Sequence, residues 1–425
     1  MAVVRAALDG ADAGRLVRGA LVSPDVERAL RAADAVDVVA VGKAARPMLL
    51  AAVAAAKVPL RHVAGVSAQP LETLPAGARW HTAAHPVPDD RSVAAARAVL
   101  DIAAAANDRD LLLLLLSGGA SALMALPADG ISLQDKQRTS RRLLREGAEI
   151  HGLNAVRKHL SAIKGGQLAA AAGGSVLTLA VSDVVGDELC AIGSGPTVPD
   201  AATFAEALAE LDRYGGRGHY PSAVVARLAG GAGGKIPETP KDGDPRLSRS
   251  DARVIGGSRT AIDGARAAAQ SLGYVVHVIE EPVTGEARRA ARGLMEATSR
   301  AVKARGGPLC VVAAGETTVR VVGTGRGGRN QECALAMARG LHAVGAAIVA
   351  ASIGTDGIDG STDAAGGIVD STTLARAEAA DIGPPERYLE DNNSYVFLDK
   401  LGDLIRTGPT NTNVGDLQVI LVGRR

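Results

Sequence analysis

Aromatic side chains are nearly missing from these 425 residues, which hold two Phe, one Trp and five Tyr. The cores must therefore be aliphatic, built from Ala, Val, Leu and Ile. Binding single-stranded nucleic acid by base stacking needs flat side chains, so that class is disfavoured. Net charge of either sign is missing too: 47 Lys and Arg stand against 46 Asp and Glu, a formal charge of +1. Neither nucleic acid nor an anionic membrane surface is an expected partner. The Arg-rich stretch 137–145 reads as a solvated helix face. Cysteine is scarce: Cys190, Cys310 and Cys333 have no metal-ligand spacing, and an odd number fits no disulfide framework. A reducing cytoplasm is the simplest compartment. No charge-free apolar run approaches the ~18 residues of a membrane span. Residues 1–10 carry Arg5 and Asp9 and lack the apolar centre of a signal peptide.

What is present is ordinary for a globular protein, with 47% apolar and 22% charged residues. The length suggests two or three domains. In the first half, strands are expected at 37–42, 111–116 and 176–181, and helices at 44–56, 132–149, 154–172 and 201–212. Residues 215–250, rich in Gly, Pro, Lys and Asp, read as a linker or long surface excursion. Beyond them strands are expected at 252–255, 274–279, 309–313, 316–322, 347–352 and 418–422. Helices are expected at 260–271, 285–304 and 330–341. Continuous apolar strands separated by helices predict an α/β protein with a parallel sheet covered on both faces.

In such sheets ligands sit at the carboxyl ends of the strands, so the residues just after each strand carry the chemistry. Lys43 follows the first strand at a helix start, where an ammonium and free N–H groups suit an anion; a solvated loop Lys is an equal reading. Ser117-Gly118-Gly119-Ala120-Ser121 follows the six leucines, with backbone N–H groups and hydroxyls suited to phosphate or carboxylate. Its plain alternative is a tight turn. Asp183 and Asp187, with Gly193-Ser194-Gly195, offer a base or Mg²⁺ ligands, or simply turn caps. The run Gly323 to Glu332 holds four glycines with Arg326 and Arg329, suited to a polyphosphate and its transferring charge. Glu316, just before it, could hold a ribose or a metal-bound water. Asp356, Asp359 and Asp363 lie in one polar loop and lack EF-hand spacing. Arg157, Ser161 and Lys164 share a helix face that points either to a cleft or to solvent, and spacing favours solvent. His81 and His85 read as structural.

Together these features describe a two-domain α/β enzyme for phosphoryl transfer, without naming its substrate. The chain also resembles the type II glycerate 2-kinases, the glycerate kinases with a C-terminal MOFRL domain. The resemblance rests on VGKAA (41–45), HPVPD (85–89), LLSGGASAL (115–123), NAVRKHLSAIKGGQLA (154–169), SDVVGD (182–187) and GSGPTVPD (193–200). It continues through AGETTV (314–319), GRGGRNQE (325–332), GTDGIDGSTDAAG (354–366) and TGPTNTNVGDL (407–417). It implies an N-terminal Rossmann-like domain over 1–240 and a C-terminal α/β MOFRL-type domain over 251–425, with the active site in the cleft between them. It implies ATP-dependent phosphorylation of D-glycerate to 2-phosphoglycerate, with Mg²⁺; a homodimer is compatible with it.

The family's functional lysine falls on Lys43 and its functional arginine on Arg329, with Arg326 the rival. Asp183 is the expected acceptor of the hydroxyl proton. Ser117, Gly118, Gly119, Ser121, Lys158, Ser194, Gly195, Glu316, Arg326, Gly328, Asn330, Gln331, Glu332, Asp356 and Asn413 are the expected substrate or nucleotide contacts, and Asp187 and Asp359 the expected metal ligands. Asn411 and Asn413 lie in a loop expected to close over the substrate. The alternative activity is an NAD(P)H-dependent hydroxypyruvate reductase, but the first strand is followed by Gly42 alone rather than G-x-G-x-x-G. A sugar-phosphate sensor without turnover is a third reading, disfavoured by the many charged groups at strand ends.

Overall fold

The structure is a computed structural model that describes residues 1–305, 307–344 and 347–423. The chain divides into two compact units, one spanning 13–255 and the other joining 1–12 to 256–425.

The 13–255 unit is built on β1 (Val36–Val41), β2 (Leu60–Ser67), β3 (Ala78–Thr82), β4 (Leu111–Ser117), β5 (Ser175–Val181) and β6 (Ser250–Gly256), in the order β3-β2-β1-β4-β5-β6. The pairs from β3 to β5 are parallel. Helical crossovers cover both faces of such a sheet, which is why β1 and β4 are buried at every position. Alternate leucines of β4, Leu112, Leu114 and Leu116, pack with Val39, Val41, Ala95, Ala96 and Val99. Asp37 sits inside this apolar strand because Arg61 meets both its oxygens, Nε–Oδ1 at 3.0 Å and Nη2–Oδ2 at 2.6 Å. The chain runs outward from β1 to β3, then returns to β4 on the other side of β1. That reversal is a topological switch point, and it opens a crevice at the carboxyl ends of β1 and β4.

The second unit carries β7 (Val275–Val278), β8 (Val283–Glu286), β9 (Leu309–Thr318), β10 (Ile348–Gly354), β11 (Gly366–Asp370), β12 (Leu404–Ile405) and β13 (Asp416–Val422). Their order is β12-β11-β10-β13-β9-β7, with β8 also on β9. The last strand, β13, inserts antiparallel between β10 and β9, while β7 and β8 run parallel to β9.

Five expectations need correction. Residues 215–250 are not a linker: helix Ser222–Ala232 lies there, and Tyr220, Val224 and Leu228 join Leu143, Leu153 and Phe204 in a second core. The glycines of this stretch turn the chain around a packed helix, and Gly231 sits where any Cβ would overlap the Phe204 ring. The boundary between units falls after Ile255 rather than at 240–251, because β6 is first a neighbour of β5. Residues 1–12 belong with the C-terminal unit. Helix Ala2–Gly10 packs on helix Ser258–Ser271, and a Cβ at Gly264 would strike the Ala6 carbonyl. The strands expected at 309–313 and 316–322 are one strand, β9, which ends where its ladder with β8 ends, at Glu286 opposite Thr318. The helix expected at 154–172 is broken into Ile150–His159 and Gln167–Ala171, because Gly165 and Gly166 turn the chain with φ of +59° and +79°.

Candidate active site

Lys43 is the second residue after β1, and the turn that presents it is tightly built. Gly42 has φ +129°, and a Cβ there would lie 2.5 Å from the Ser117 carbonyl oxygen. The buried Ser117 hydroxyl accepts from the Ala44 N–H at 3.1 Å and donates to the Val41 carbonyl at 3.3 Å. The Lys43 N–H donates to the Gly118 carbonyl at 2.8 Å. Ser117 and Gly118 are thus committed to the shape of the turn, while the Lys43 side chain is exposed. Gly119, with φ +84°, faces the imidazole of His85: a Cβ there would lie 3.2 Å from Nε2 and 3.3 Å from the Lys43 Cγ. His85, read as structural from the sequence, therefore stands beside Lys43. Its place in HPVPD, among the motifs that carry chemistry, was the available signal.

A second group forms where β4 and β5 end. The Ser121 and Ser194 hydroxyls are 2.6 Å apart, and Ser194 also donates to Asn154 Oδ1 at 3.3 Å. Ser194 is buried with φ +62°, a left-handed conformation that a side chain rarely adopts. Gly195, at φ +57°, is needed for packing, since a Cβ would lie 2.9 Å from the Cys190 Cα. Asp183, two residues past the end of β5, is half-buried, as is Asp187, whose φ is +55°. Lys158 is not presented to a ligand. Its ammonium lies in a buried pair with Asp200 Oδ1 at 3.0 Å.

In the C-terminal unit, Arg329 opens helix Arg329–Ala343. Its Nε donates to both oxygens of Asp416, at 2.9 and 3.0 Å, and its Nη1 to Glu316 Oε1 at 2.9 Å. Burial alone would lower the Arg329 pKa, but Asp416 and Glu316 outweigh it and hold the guanidinium above its ordinary value. Asp416 is fully buried at the start of β13 and also accepts from Asn330 Nδ2 at 2.8 Å and the Thr317 N–H at 3.2 Å. The sequence reading missed it, because nothing local marks an Asp at a strand start as an arginine's anchor.

Several expected ligand contacts are interior braces instead. Asn330 accepts from the Ser352 hydroxyl at 2.7 Å, Gln331 donates to Thr362 at 2.7 Å, and Glu332 is held by Arg288 at 2.7 Å and Asn392 at 3.1 Å; all three are buried. Arg326 lies over the Tyr395 ring, 4.1 Å from its centroid. The glycines of this loop serve close packing rather than a polyphosphate. Gly323 and Gly325 lie against the backbone of Asp391, Gly327 against Ser394, and Gly328 against the Asp359 carboxylate. A Gly325→Ala Cβ would sit 2.5 Å from the Asp391 carbonyl oxygen and 2.7 Å from the Asn393 Cα. That variant should lose about 1–3 kcal/mol of stability. Thermal melts alongside ATP kinetics check it: a changed KM for ATP at an unchanged melting temperature would restore the nucleotide reading. Asn413 is buried in the 407–417 loop, which Thr355 pins by accepting from the Val414 N–H at 2.8 Å and donating to the Gly415 carbonyl at 2.6 Å.

Residues 1–229 match a family described as a domain of unknown function (DUF4147), and residues 309–416 match the MOFRL family. A glycerate 2-kinase of Pyrococcus horikoshii is 41% identical over 346 residues, covering 80% of this chain and 77% of its own. A D-glycerate 2-kinase of Thermotoga maritima is 41% identical over 347 residues, covering 80% and 79%. The chain belongs to the MOFRL-type glycerate 2-kinase family. The crystal structure of a Thermotoga maritima glycerate kinase matches it with a TM-score of 0.84 at 36% identity, over 99% of this chain and 97% of that one. An Agrobacterium vitis relative, 40% identical over 80% of this chain and 76% of its own, bears a provisional hydroxypyruvate reductase name.

Membership of a glycerate 2-kinase family raises the question of Mg²⁺. Among the described residues no group of three or more His, Cys, Asp or Glu side chains could hold a metal ion. Asp359 does not fit the role expected of it. It is buried, and its two oxygens accept the Asn330 and Gln331 N–H groups, at 3.1 and 2.8 Å, at the start of helix Arg329–Ala343. A Mg²⁺ that arrives on nucleotide phosphates needs only one or two protein carboxylates. Glu316 is exposed, and Asp187 and Asp356 are half-buried, so their carboxylates fit that lesser requirement.

Burial raises the Asp359 pKa from 3.8 to about 7, against the opposing Gln331 and Asn330 N–H groups. Between those values the folded state holds a proton that the unfolded state has released, so stability falls as pH rises through the window. The stability of the natural protein minus that of Asp359→Asn should therefore decline from pH ~4 to pH ~7, by up to ~1.4 kcal/mol per pH unit. Urea denaturation of both across that range is the check, and parallel profiles would exclude this titration.

Proposed function

We propose that this chain transfers the γ-phosphoryl group of ATP to the 2-hydroxyl of D-glycerate, giving 2-phosphoglycerate and ADP. The observation that carries the reading is Lys43, exposed at the switch point of a parallel sheet in a chain whose relatives include glycerate 2-kinases. In this reading Asp183 takes the proton of the 2-hydroxyl as its oxygen bonds to the γ-phosphorus. The bond from that phosphorus to the bridging oxygen breaks, and ADP leaves. The Lys43 ammonium and the Arg329 guanidinium offset charge on the equatorial oxygens, which is most of what a phosphoryl-transfer site must do. Asp416 and Glu316 keep the Arg329 plane fixed, so little reorganisation is needed when charge develops. Mg²⁺ bound with the nucleotide would supply neutralisation of phosphate charge; Glu316 and Asp356 in the C-terminal unit, or Asp187 in the 13–255 unit, are the carboxylates that would meet it. The cytoplasm suits this chemistry and the free Cys190, Cys310 and Cys333.

The test is incubation of the purified protein with D-glycerate, ATP and Mg²⁺, followed by ³¹P NMR. A 2-phosphoglycerate resonance is expected. A 3-phosphoglycerate resonance would overturn the choice of hydroxyl. Absence of either, with NADH oxidised by hydroxypyruvate, would replace the kinase by the reductase that the Agrobacterium vitis relative's name suggests.

A further inference from the structure

Among the described residues, three cations of the 13–255 unit stand without a carboxylate partner. Lys164 and Lys136 are 2% and 6% exposed, and Arg157 is half-buried. Among the described residues no carboxylate pairs with any of them, whereas the neighbouring Lys158 is matched by Asp200. The Lys164 ammonium donates to the Ser121 hydroxyl at 3.2 Å and the Gly193 carbonyl at 3.3 Å. The Lys136 ammonium donates to the Leu160 carbonyl at 3.0 Å. A buried charge without an opposite charge is costly, and a fold keeps it where something negative comes to it.

The surroundings narrow what that is. Ser121 lies four residues past the end of β4 and bonds to Ser194, and β4 is the direct neighbour of β5, with Ser117 opposite Val181. Asp183 follows Val181 by two residues, so cation, hydroxyls and candidate base all belong to the carboxyl ends of β4 and β5. Lys164 and Lys136 are buried and Ser121 and Arg157 half-buried, and a single carboxylate asks less room of such a cluster than a triphosphate would. We propose that Lys164, with Lys136, Arg157 and the hydroxyls of Ser121 and Ser194, binds the carboxylate of the acceptor substrate. This inference rests on the glycerate kinase reading and assigns the acceptor's anionic end to this unit. It reverses the sequence reading of Arg157 and Lys164 as a solvated face.

Burial lowers the pKa of Lys164 well below its ordinary value and that of Lys136 to about 7; the charges of Lys136 and Arg157 lower Lys164 further, and those of Arg157 and Arg227 lower Lys136. No carboxylate is among the causes that act on Lys136, Arg157 or Lys164. A bound carboxylate supplies the missing negative charge and draws a proton onto the lysines.

The test uses the full chain with Lys164→Gln and Arg157→Gln, and Arg157→Lys as the conservative rescue. KM for D-glycerate should rise about thirtyfold in the Gln variants, the loss of one charge-assisted hydrogen bond. KM for ATP should stay within about threefold, and Arg157→Lys should recover most of the loss. An unmoved glycerate KM in folded variants would make the cations structural clamps. A rise confined to the ATP KM would assign the cluster to phosphate. Should Lys164→Gln not fold, calorimetry of the unaltered protein in buffers of different ionisation enthalpy decides instead. At about pH 8, D-glycerate should bind with proton uptake and the uncharged glycerol with none; glycerate binding without uptake overturns the proposal. An unaltered protein that binds glycerate with uptake yet transfers no phosphoryl group would fail the kinase reading and keep the subsite.

Discussion

Lys43→Ala should lower kcat for glycerate phosphorylation by about a thousandfold, the scale of losing one charged contact to the transition state. Its melting temperature should hardly move. The side chain is exposed, and the turn that carries it is fixed by Gly42, the Ser117 hydroxyl and the Gly118 carbonyl, none of which the substitution removes. Loss of activity without loss of stability is therefore the signature to look for. Lys43→Arg tests the geometry further. A guanidinium is larger and planar, and beside Gly119 and His85 it has little room, so poor rescue is expected. Steady-state kinetics with a thermal melt on the same samples checks both, and turnover within about threefold of the natural protein would remove Lys43 from the mechanism.

Asp416→Ala should be the most damaging single change in the C-terminal unit. It strips the acceptor from the Arg329 Nε, the Asn330 Nδ2 and the Thr317 N–H at one buried point. Breaking a buried ion pair costs about 3–5 kcal/mol. The lower end applies, because the Arg329 side chain keeps 35% exposure and water can reach it. Activity should fall as well, since Arg329 then keeps its bond to Glu316 but loses the buried carboxylate that fixes its plane. Asp416→Asn retains an oxygen for the Thr317 N–H, so it should recover stability more than activity. Urea midpoints together with kcat separate the two effects. A loss below about 1 kcal/mol for the alanine variant would mean that water replaces the carboxylate.

Much of the fold was legible because its signals are local. The six leucines of β4 and the apolar run of β1 can be nothing but buried strands, and the helices between them imply the parallel sheet. Lys43 and Asp183 could be singled out for the same reason, since the chemistry of a parallel sheet gathers at its strand ends. The failures share one cause. Gly323, Gly325, Gly327 and Gly328 looked like a phosphate loop, yet each one's missing Cβ makes room for Asp391, Asn393, Ser394 or Asp359, far along the chain. Composition around 215–250 reported the turns and hid the helix Ser222–Ala232, whose value lies in its contact with Phe204. Lys158 was expected at a ligand and Lys164 in solvent, whereas folding pairs Lys158 with Asp200 and buries Lys164 without such a partner.

The sequence by itself determined the α/β alternation, the aliphatic cores, the family resemblance and the strand-end positions where chemistry belongs. These follow from residue periodicity and from short motifs, which act over a few neighbouring residues. Tertiary structure decided which polar groups brace the interior and which remain exposed. Arg329 finds Asp416 across 87 residues, and Lys164 finds Ser121 across 43. A charge's role depends on the charge opposite it and on its burial, and folding alone brings such partners together.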